Sequence, residues 1–562
     1  MLRRSPLFLA LSLNLFFLTL YFAFGIVRHG SLDDYFMSSV LTGAYGGAYD
    51  VHTYFVGSAY GYFLKPFYWL FPKVGWYFIF ELAGTFAAFT TFTYFLIQRM
   101  RTKMGVALST LLLASLTPDF YFQLSFTQCG TIYTATGLLA LFLAQGKKRF
   151  LILGSLFLIA GSVMRWQGFL LGMPYLLLLC ATHTISGKRI FITTLITLAA
   201  SLSILYGLHK YDSTLYTEGD YKYYAAYQGP RSFFADGAHY DSEATFDELQ
   251  ERGKSGRDFR LLRSWVFYDT EVFTRDSLLP IIEVASNNCY SPNTKRMPVA
   301  FFMAISRQLT RSLGWCWVIF CIFLLLSKSR LSNLYPWVSL GIIAISTGYL
   351  LLLNRLVYHV ESGIWLYATV CCIAFMSSDI LWPNTLGNKW KRALPFVILS
   401  IAIFFAYSGI TEQGTLKKQW HLIEHEQVPA NWQIFLDYAS NHNDDVFLLS
   451  FEKYKALGIF KNPPYLSIEP GSWNNIFPWG YWNIHLPAMK REFSKRGVEN
   501  PIRDIIHSNV YLIKENSDPS LLDYYERHYN DSLWIDTVKT FGDLMLLQYH
   551  STKKQPNEGD SL

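Results

Sequence analysis

The sequence predicts an α-helical polytopic membrane protein with about eleven transmembrane helices and a C-terminal extracytoplasmic α/β domain. Three observations predict it. Of 562 residues, 51% are hydrophobic and 17% aromatic, but only 16% are charged, where a soluble protein carries about 25%. The apolar residues fall in blocks near membrane-crossing length, which is about twenty residues for ~30 Å of hydrocarbon. Short basic connections punctuate those blocks on alternate turns of the chain.

The blocks at 7–26, 76–97, 105–117, 131–145, 150–164, 167–182, 190–207, 304–327, 335–353, 364–381 and 393–410 read as spans. With that count one set of connections is basic and contains no acid. It comprises Arg3-Arg4, Arg99 with Arg101 and Lys103, Lys147-Lys148-Arg149, Lys188-Arg189, Lys328 with Arg330, and Lys389 with Lys391-Arg392. Cytoplasmic loops carry such an excess, so the N-terminus is assigned to the cytoplasm and the C-terminus outside. Once these residues are set aside, fewer of the 48 Lys and Arg remain than the 41 Asp and Glu. The net charge of +7 therefore reflects insertion topology and gives no reason to expect nucleic acid as a partner. Val56 to Phe71 is apolar but holds Lys65 and Pro66. It reads as an interfacial helix, its lysine snorkelling and Tyr62, Tyr68 and Trp69 anchoring at the head groups. The apolar start is longer than a signal peptide's core and reads as a retained helix. Short basic loops and the lack of an ER retention signal point to a bacterial plasma membrane.

Three pieces fall on the outer side: loops at about 28–75 and 211–298, and a domain at 411–562, leaving 1–410 as the membrane module. The second loop contains a helical stretch from Ser242 to Phe267 and is long enough to be a lid or binding element. In the domain, Trp432 to Ser440 and Ser520 to Tyr529 read as helices, and Val446–Leu449 and Val510–Ile513 as strands. Trp534–Thr540 and Met545–Tyr549 suggest a hairpin around Gly542. The seven cysteines show no zinc spacing. His421 and His425 have metal-compatible spacing but no third ligand in register, so a solvated helix is favoured. A divalent metal is possible but not indicated, and no other cofactor is implied.

Chemistry is suggested first by Asp33-Asp34, adjacent carboxylates at the mouth of the first span. Two acids there either take protons from a substrate at the lipid–water boundary or form an ordinary solvated turn. Transporters place charges near the midplane of their spans, whereas the charges here concentrate at helix ends and in outer loops. The segment from Ser31 to Gln98 resembles the start of the GT-C superfamily of polytopic glycosyltransferases. It has an acidic pair opening the first outer loop, an interfacial stretch (Val56–Phe71) and a second span (Trp76–Ile97). Thr117-Pro-Asp-Phe-Tyr-Phe and Met164-Arg-Trp-Gln-Gly-Phe-Leu-Leu are similar to it as well. The resemblance covers about residues 1–210, and the later helices by count.

That resemblance implies sugar transfer from a polyprenyl-phosphate donor to a glycan, lipid or protein acceptor at the extracytoplasmic face. One of Asp33 and Asp34 would be the base, with Asp33 the first choice. The phosphate leaving group needs cations. Arg165, alone in a short outer turn, either serves that phosphate or snorkels to head groups. Arg355 and His359 form a second outer cluster, for which the structural alternative is an ion pair of Arg355 with Glu361. Asp119 either assists the first-loop acid or caps a helix. Arg231 and Asp236 either line the acceptor path or make surface salt bridges. Trp473, Trp479, Tyr481 and Trp482 could stack on sugar, anchor at the membrane or fill the domain core. The rival readings are a carrier or flippase of lipid-linked glycans, without enzymatic activity, and an assembly protein whose outer domain recruits a partner.

Overall fold

Helix is found at each of the eleven predicted span positions. The computed structural model describes residues 5–100, 102–183, 188–234, 240–289, 297–353, 355–378, 388–427, 431–450, 463–514, 519–542 and 544–553. The chain runs through α1 (Pro6–Phe24), α2 (Leu32–Thr42), α3 (Ser58–Leu70), α4 (Trp76–Arg99) and α5 (Thr102–Leu116), which ends in a π-helical turn, Thr117–Tyr121. There follow α6 (Phe126–Leu143), α7 (Lys148–Met164), α8 (Trp166–Leu171), α9 (Met173–His183) and α10 (Lys188–Thr217). The segment between α10 and the next long apolar helices carries α11 (Tyr221–Ser232), α12 (Ser242–Glu251), α13 (Gly256–Arg263) and α14 (Arg275–Asn287). The chain continues as α15 (Met297–Leu309), α16 (Ser312–Leu325), α17 (Arg330–Leu352), α18 (Tyr358–Phe375) and α19 (Asn388–Gln427).

Among the described residues seven helices are long and apolar enough to cross a membrane, and an eighth is added if α15 and α16, bent by 82° at their junction, count as one span. The other predicted spans are shorter, broken or more polar at one end. α7 has 17 residues, α8 and α9 are separated at Gly172, and α18 begins with the polar residues Tyr358, His359 and Glu361. α3, with 13 residues and Pro66 inside, is too short to cross. α6 is buried along almost its entire length and packs closely on α7. A Cβ at Gly137 would stand 2.7 Å from the Leu158 nitrogen, and one at Gly161 2.6 Å from the Thr134 nitrogen. Small residues allow such contact where apolar side chains give no preference for helix over lipid.

The C-terminal part forms a body around one sheet. After α20 (Asn431–Ser440), strands β1 (Val446–Leu449), β2 (Ile476–Pro478), β3 (Val510–Lys514), β4 (Leu533–Phe541) and β5 (Leu544–Ser551) form a sheet of order β2-β1-β3-β5-β4. The first three are parallel and β5 pairs antiparallel with β3 and β4. α21 (Pro487–Ser494) and α22 (Pro519–Tyr529) complete it. The expected helices, strands and hairpin are present, whereas β2 and α21 were not expected. The expected division at residue 410 falls inside α19, which runs unbroken to Gln427.

Two sets of bonds fasten this body to the rest. Residues 465–474 lie along the segment between α2 and α4: Gly75 N donates to Tyr465 O (2.9 Å), Ser467 N to Lys73 O (3.1 Å), Gly471 N to Gly43 O (2.9 Å) and Trp473 N to Ala44 O (2.9 Å). Asp269, fully buried in the α13–α14 linker, accepts from Glu271 N (3.0 Å), Val272 N (3.1 Å) and Asn500 Nδ2 (2.9 Å). It also accepts from the Tyr524 hydroxyl (2.8 Å) and the Tyr529 hydroxyl (2.5 Å). Removing a buried carboxylate that satisfies so many donors is costly. Asp269→Ala is expected to lose about 3 kcal/mol, seen as a lower unfolding midpoint in detergent by tryptophan fluorescence. An unchanged midpoint would show that Asp269 does not hold the linker to the domain.

Candidate functional site

The first outer loop turns into α2 at Ser31, whose hydroxyl accepts from the Asp34 amide (3.2 Å) while Asp34 Oδ2 accepts from the Ser31 amide (3.1 Å). This capping box places both acids in the first turn, where the helix dipole favours negative charge. It also sends them in different directions. Asp34 is fully buried. Its Oδ2 further accepts from Ser31 Oγ (2.6 Å), and its Oδ1 from the Tyr77 hydroxyl on α4 (2.9 Å) and the Phe126 amide at the start of α6 (3.0 Å). Burial raises its carboxyl from 3.8 to about 6, against the lowering effect of those bonds from Ser31, Phe126 and Tyr77.

Asp33 is half-buried and faces a cavity of about 1230 Å³. Its Oδ1 accepts from the Tyr481 hydroxyl (2.6 Å) and from the Trp482 indole nitrogen (2.9 Å), both in the segment after β2. Arg165 enters the same cavity from the extended link between α7 and α8, its guanidinium over the rings of Phe126 (5.1 Å) and Phe55 (5.3 Å). Arg355 and His359, before and within α18, line it as well. So does Arg231 of α11, which is buried and lies 5.6 Å from the centre of the Trp265 ring. A smaller space of about 130 Å³ is shared by Asp33, Arg165, His359, Tyr358, Ser125 and Gln128.

The cavity has two characters. Its polar end holds Asp33, Arg165, Arg231, Arg355 and His359 with Tyr481 and Trp482 of the segment after β2. The other end is apolar, walled by Leu170, Pro174, Leu205, Leu208, Leu350 and Leu353 of the membrane helices, and Leu170, Tyr349 and Leu353 on that wall are exposed on the outside of the protein. A phosphate attached to a long hydrocarbon chain matches this combination of cations and apolar wall.

Of the expected site residues, Asp33, Arg165, Arg231, Arg355 and His359 therefore line one cavity, and Asp34 does not line it. Asp119 is buried in the π-helical turn, where it accepts from the Tyr358 hydroxyl and pairs with Arg311 (3.3 Å). It stands behind Tyr358 and not on the cavity wall. The expected alternative for Arg355, a pair with Glu361, is replaced by a pair of Glu361 with Arg307. Asp236, and the side chains of His421 and His425, lie outside the described residues. Among the described residues no three His, Cys, Asp or Glu side chains come together as a metal site. Sequence reasoning missed Asp212, His209, Tyr216 and Trp265 on the wall. It also left Tyr481 and Trp482 without a place at the acid pair.

No protein-family model, no curated protein and no solved structure matches this chain. The fold and the cavity define a helical membrane protein with a small C-terminal sheet.

Two outcomes follow from this geometry. Asp34 ionises near 3.8 when unfolded and near 6 when folded. Its stabilising contribution is therefore complete below about pH 4 and is lost as pH rises through 6. Relative to Asp34→Asn, the wild type is expected to lose about 3 kcal/mol between pH 4 and 7, measured by thermal unfolding in detergent. Parallel pH curves for the two proteins would contradict this. At Gly480 an added Cβ would stand 2.2 Å from the Trp265 carbonyl oxygen. Gly480→Ala is expected to cost about 2 kcal/mol through the backbone shift it forces, and an unaltered unfolding midpoint would show the contact to be loose.

Proposed function

We propose that this protein is a membrane glycosyltransferase. It transfers a sugar from a polyprenyl-phosphate donor to a glycan, lipid or protein acceptor at the extracytoplasmic face. In this reading the eleven helical segments form a GT-C-like membrane module, the N-terminus is cytoplasmic, and the sheet domain lies outside. The observation that carries the reading is the single cavity. In it an acid from the first outer loop meets cations from three distant parts of the chain beside an apolar wall open to lipid.

The donor's phosphate binds at Arg165 and Arg355, with His359 beside them, and its prenyl chain leaves between the apolar walls. The acceptor hydroxyl attacks the anomeric carbon from the side of Asp33. A new C–O bond forms, the anomeric carbon's bond to the phosphate oxygen breaks, and its electron pair departs with the polyprenyl phosphate. The hydroxyl proton passes to the Asp33 carboxylate. A single displacement of this kind inverts the anomeric centre. The arginines stabilise the charge that develops on the leaving phosphate. Asp34, occupied by four hydrogen-bond donors, orients Asp33 and takes no proton from substrate.

General-base removal typically costs about 10²- to 10⁴-fold. Asp33→Asn in proteoliposomes supplied with polyprenyl-phosphate-linked radiolabelled hexoses and pentoses is expected to lose transfer by at least about a hundredfold. Asp34→Asn is expected to keep more activity than Asp33→Asn. Full transfer by the Asp33 variant would remove the base from the mechanism. Movement of lipid-linked glycan across the bilayer without transfer would favour a carrier.

A further inference from the structure

The contact between Asp33 and residues nearly 450 positions away has a consequence for the site. Tyr481 and Trp482 follow β2, and both donate to the same oxygen, Asp33 Oδ1, at 2.6 and 2.9 Å. They are braced from behind. The Tyr481 ring stacks on Trp265 of the α13–α14 linker, with centres 5.2 Å apart and planes within 9°. The Trp482 carbonyl accepts from Gln228 Nε2 of α11 (2.7 Å), and Gln228 Oε1 accepts from Arg231 Nε (2.8 Å). Gly480 lets the chain pass against the Trp265 carbonyl. Trp482 itself is buried, its ring edge-on to Phe55 at 5.1 Å.

We infer that Tyr481 and Trp482 are positioning residues for Asp33, so that the C-terminal domain is an integral part of the transfer site. This rests on the assignment of Asp33 as the base. An indole N–H can only donate a hydrogen bond, so Oδ1 remains an acceptor while Trp482 is in place. The proton taken from the acceptor hydroxyl is thereby directed to Oδ2. Donors on a carboxylate favour its charged form, the form in which Asp33 can accept the hydroxyl proton. The other charged or titratable groups that share the cavity walls with Asp33 are Arg165 between α7 and α8, His209, Asp212 and Tyr216 on α10, Arg231 on α11, Tyr349 on α17, Arg355 with Tyr358 and His359 at α18, and Tyr54 before α3, with Asp34 behind it on α2. None of them comes from the sheet domain, so Tyr481 and Trp482 are that domain's contribution.

The test uses the full chain in proteoliposomes and two readouts. In the first, Asp33 is labelled by a water-soluble carbodiimide with an amine across pH 4–8 and quantified by peptide mass spectrometry, which needs no substrate. Tyr481→Phe and Trp482→Phe keep an aromatic ring and remove one donor each. Each is expected to move the labelling midpoint of Asp33 up by about one pH unit. Trp534→Phe, on exposed β4, is expected to leave it in place. In the second readout, polyprenyl-phosphate sugar transfer, each variant is expected to lower kcat about tenfold, with donor KM within about twofold. The acid limb of the pH profile is expected to move to higher pH. An Asp33 midpoint unmoved in both Phe variants would overturn the inference, whatever the transfer rates. A shifted midpoint in a protein that transfers no sugar would uphold the positioning and overturn the transferase reading instead. If Trp482→Phe does not assemble, Tyr481→Phe decides the matter alone.

Discussion

The position of Asp33 depends on the buried carboxyl of its neighbour. Asp34 receives hydrogen bonds from the Ser31 amide and hydroxyl, the Tyr77 hydroxyl and the Phe126 amide. These partners belong to the start of α2, to α4 and to the start of α6. Two helix N-termini thus point at one carboxyl, and both favour its negative form. Burial opposes them and prevails, which leaves the group near pH 6 and not in the usual carboxylate range. Because α2 starts at this junction, Asp33 sits about 100° from Asp34 around the helix and lines the cavity.

The membrane helices were legible in sequence because hydrocarbon imposes length and apolarity on any segment that crosses it. The sheet domain was legible in its longer elements, where hydrophobic alternation and turn residues agree, as at β4, Gly542 and β5. β2 was missed because three residues, Ile476–Pro478, are too few to show a period. The division of labour between Asp33 and Asp34 was partly readable. Ser31-Leu32-Asp33-Asp34 has the Ser-x-x-acid spacing of a capping box, which assigns the second acid to the helix start. The choice of partner for Glu361 was not readable. Arg355 is nearer in sequence, but the bend between α15 and α16 brings Arg307 to it. The contact of Tyr481 and Trp482 with Asp33 joins the two ends of the chain, and no local pattern carries that information.

The predicted spans that are short, broken or polar at one end are informative in the same physical terms. α7, the α8–α9 pair and α18 surround the Arg165 link or carry His359, and they border the cavity. A helix that stops early, or breaks as at Gly172, exposes backbone groups that lipid cannot satisfy. Such irregularity is tolerated where it lines a cavity or is buried in protein. The extended backbone of Arg165 between two helix ends is a case of this, and its guanidinium rests on Phe126 and Phe55 and not among lipid tails.

The sheet domain meets a different requirement. A carboxylate at the edge of a membrane protein would be disordered if only water faced it, and a base must be held within hydrogen-bond reach of one hydroxyl. Tyr481 and Trp482 supply that order only if their own backbone is fixed relative to α2. The strand-like contacts of residues 465–474 with the first outer loop fix it on one side. Asp269, which joins the α13–α14 linker to the domain, fixes the Trp265 brace on the other. Both attachments use backbone or buried polar groups with little freedom to slide. The domain is thereby tied to the segment before α4 and to the α13–α14 linker, and its aromatic segment contacts Asp33 while the apolar helices line the space in front of it.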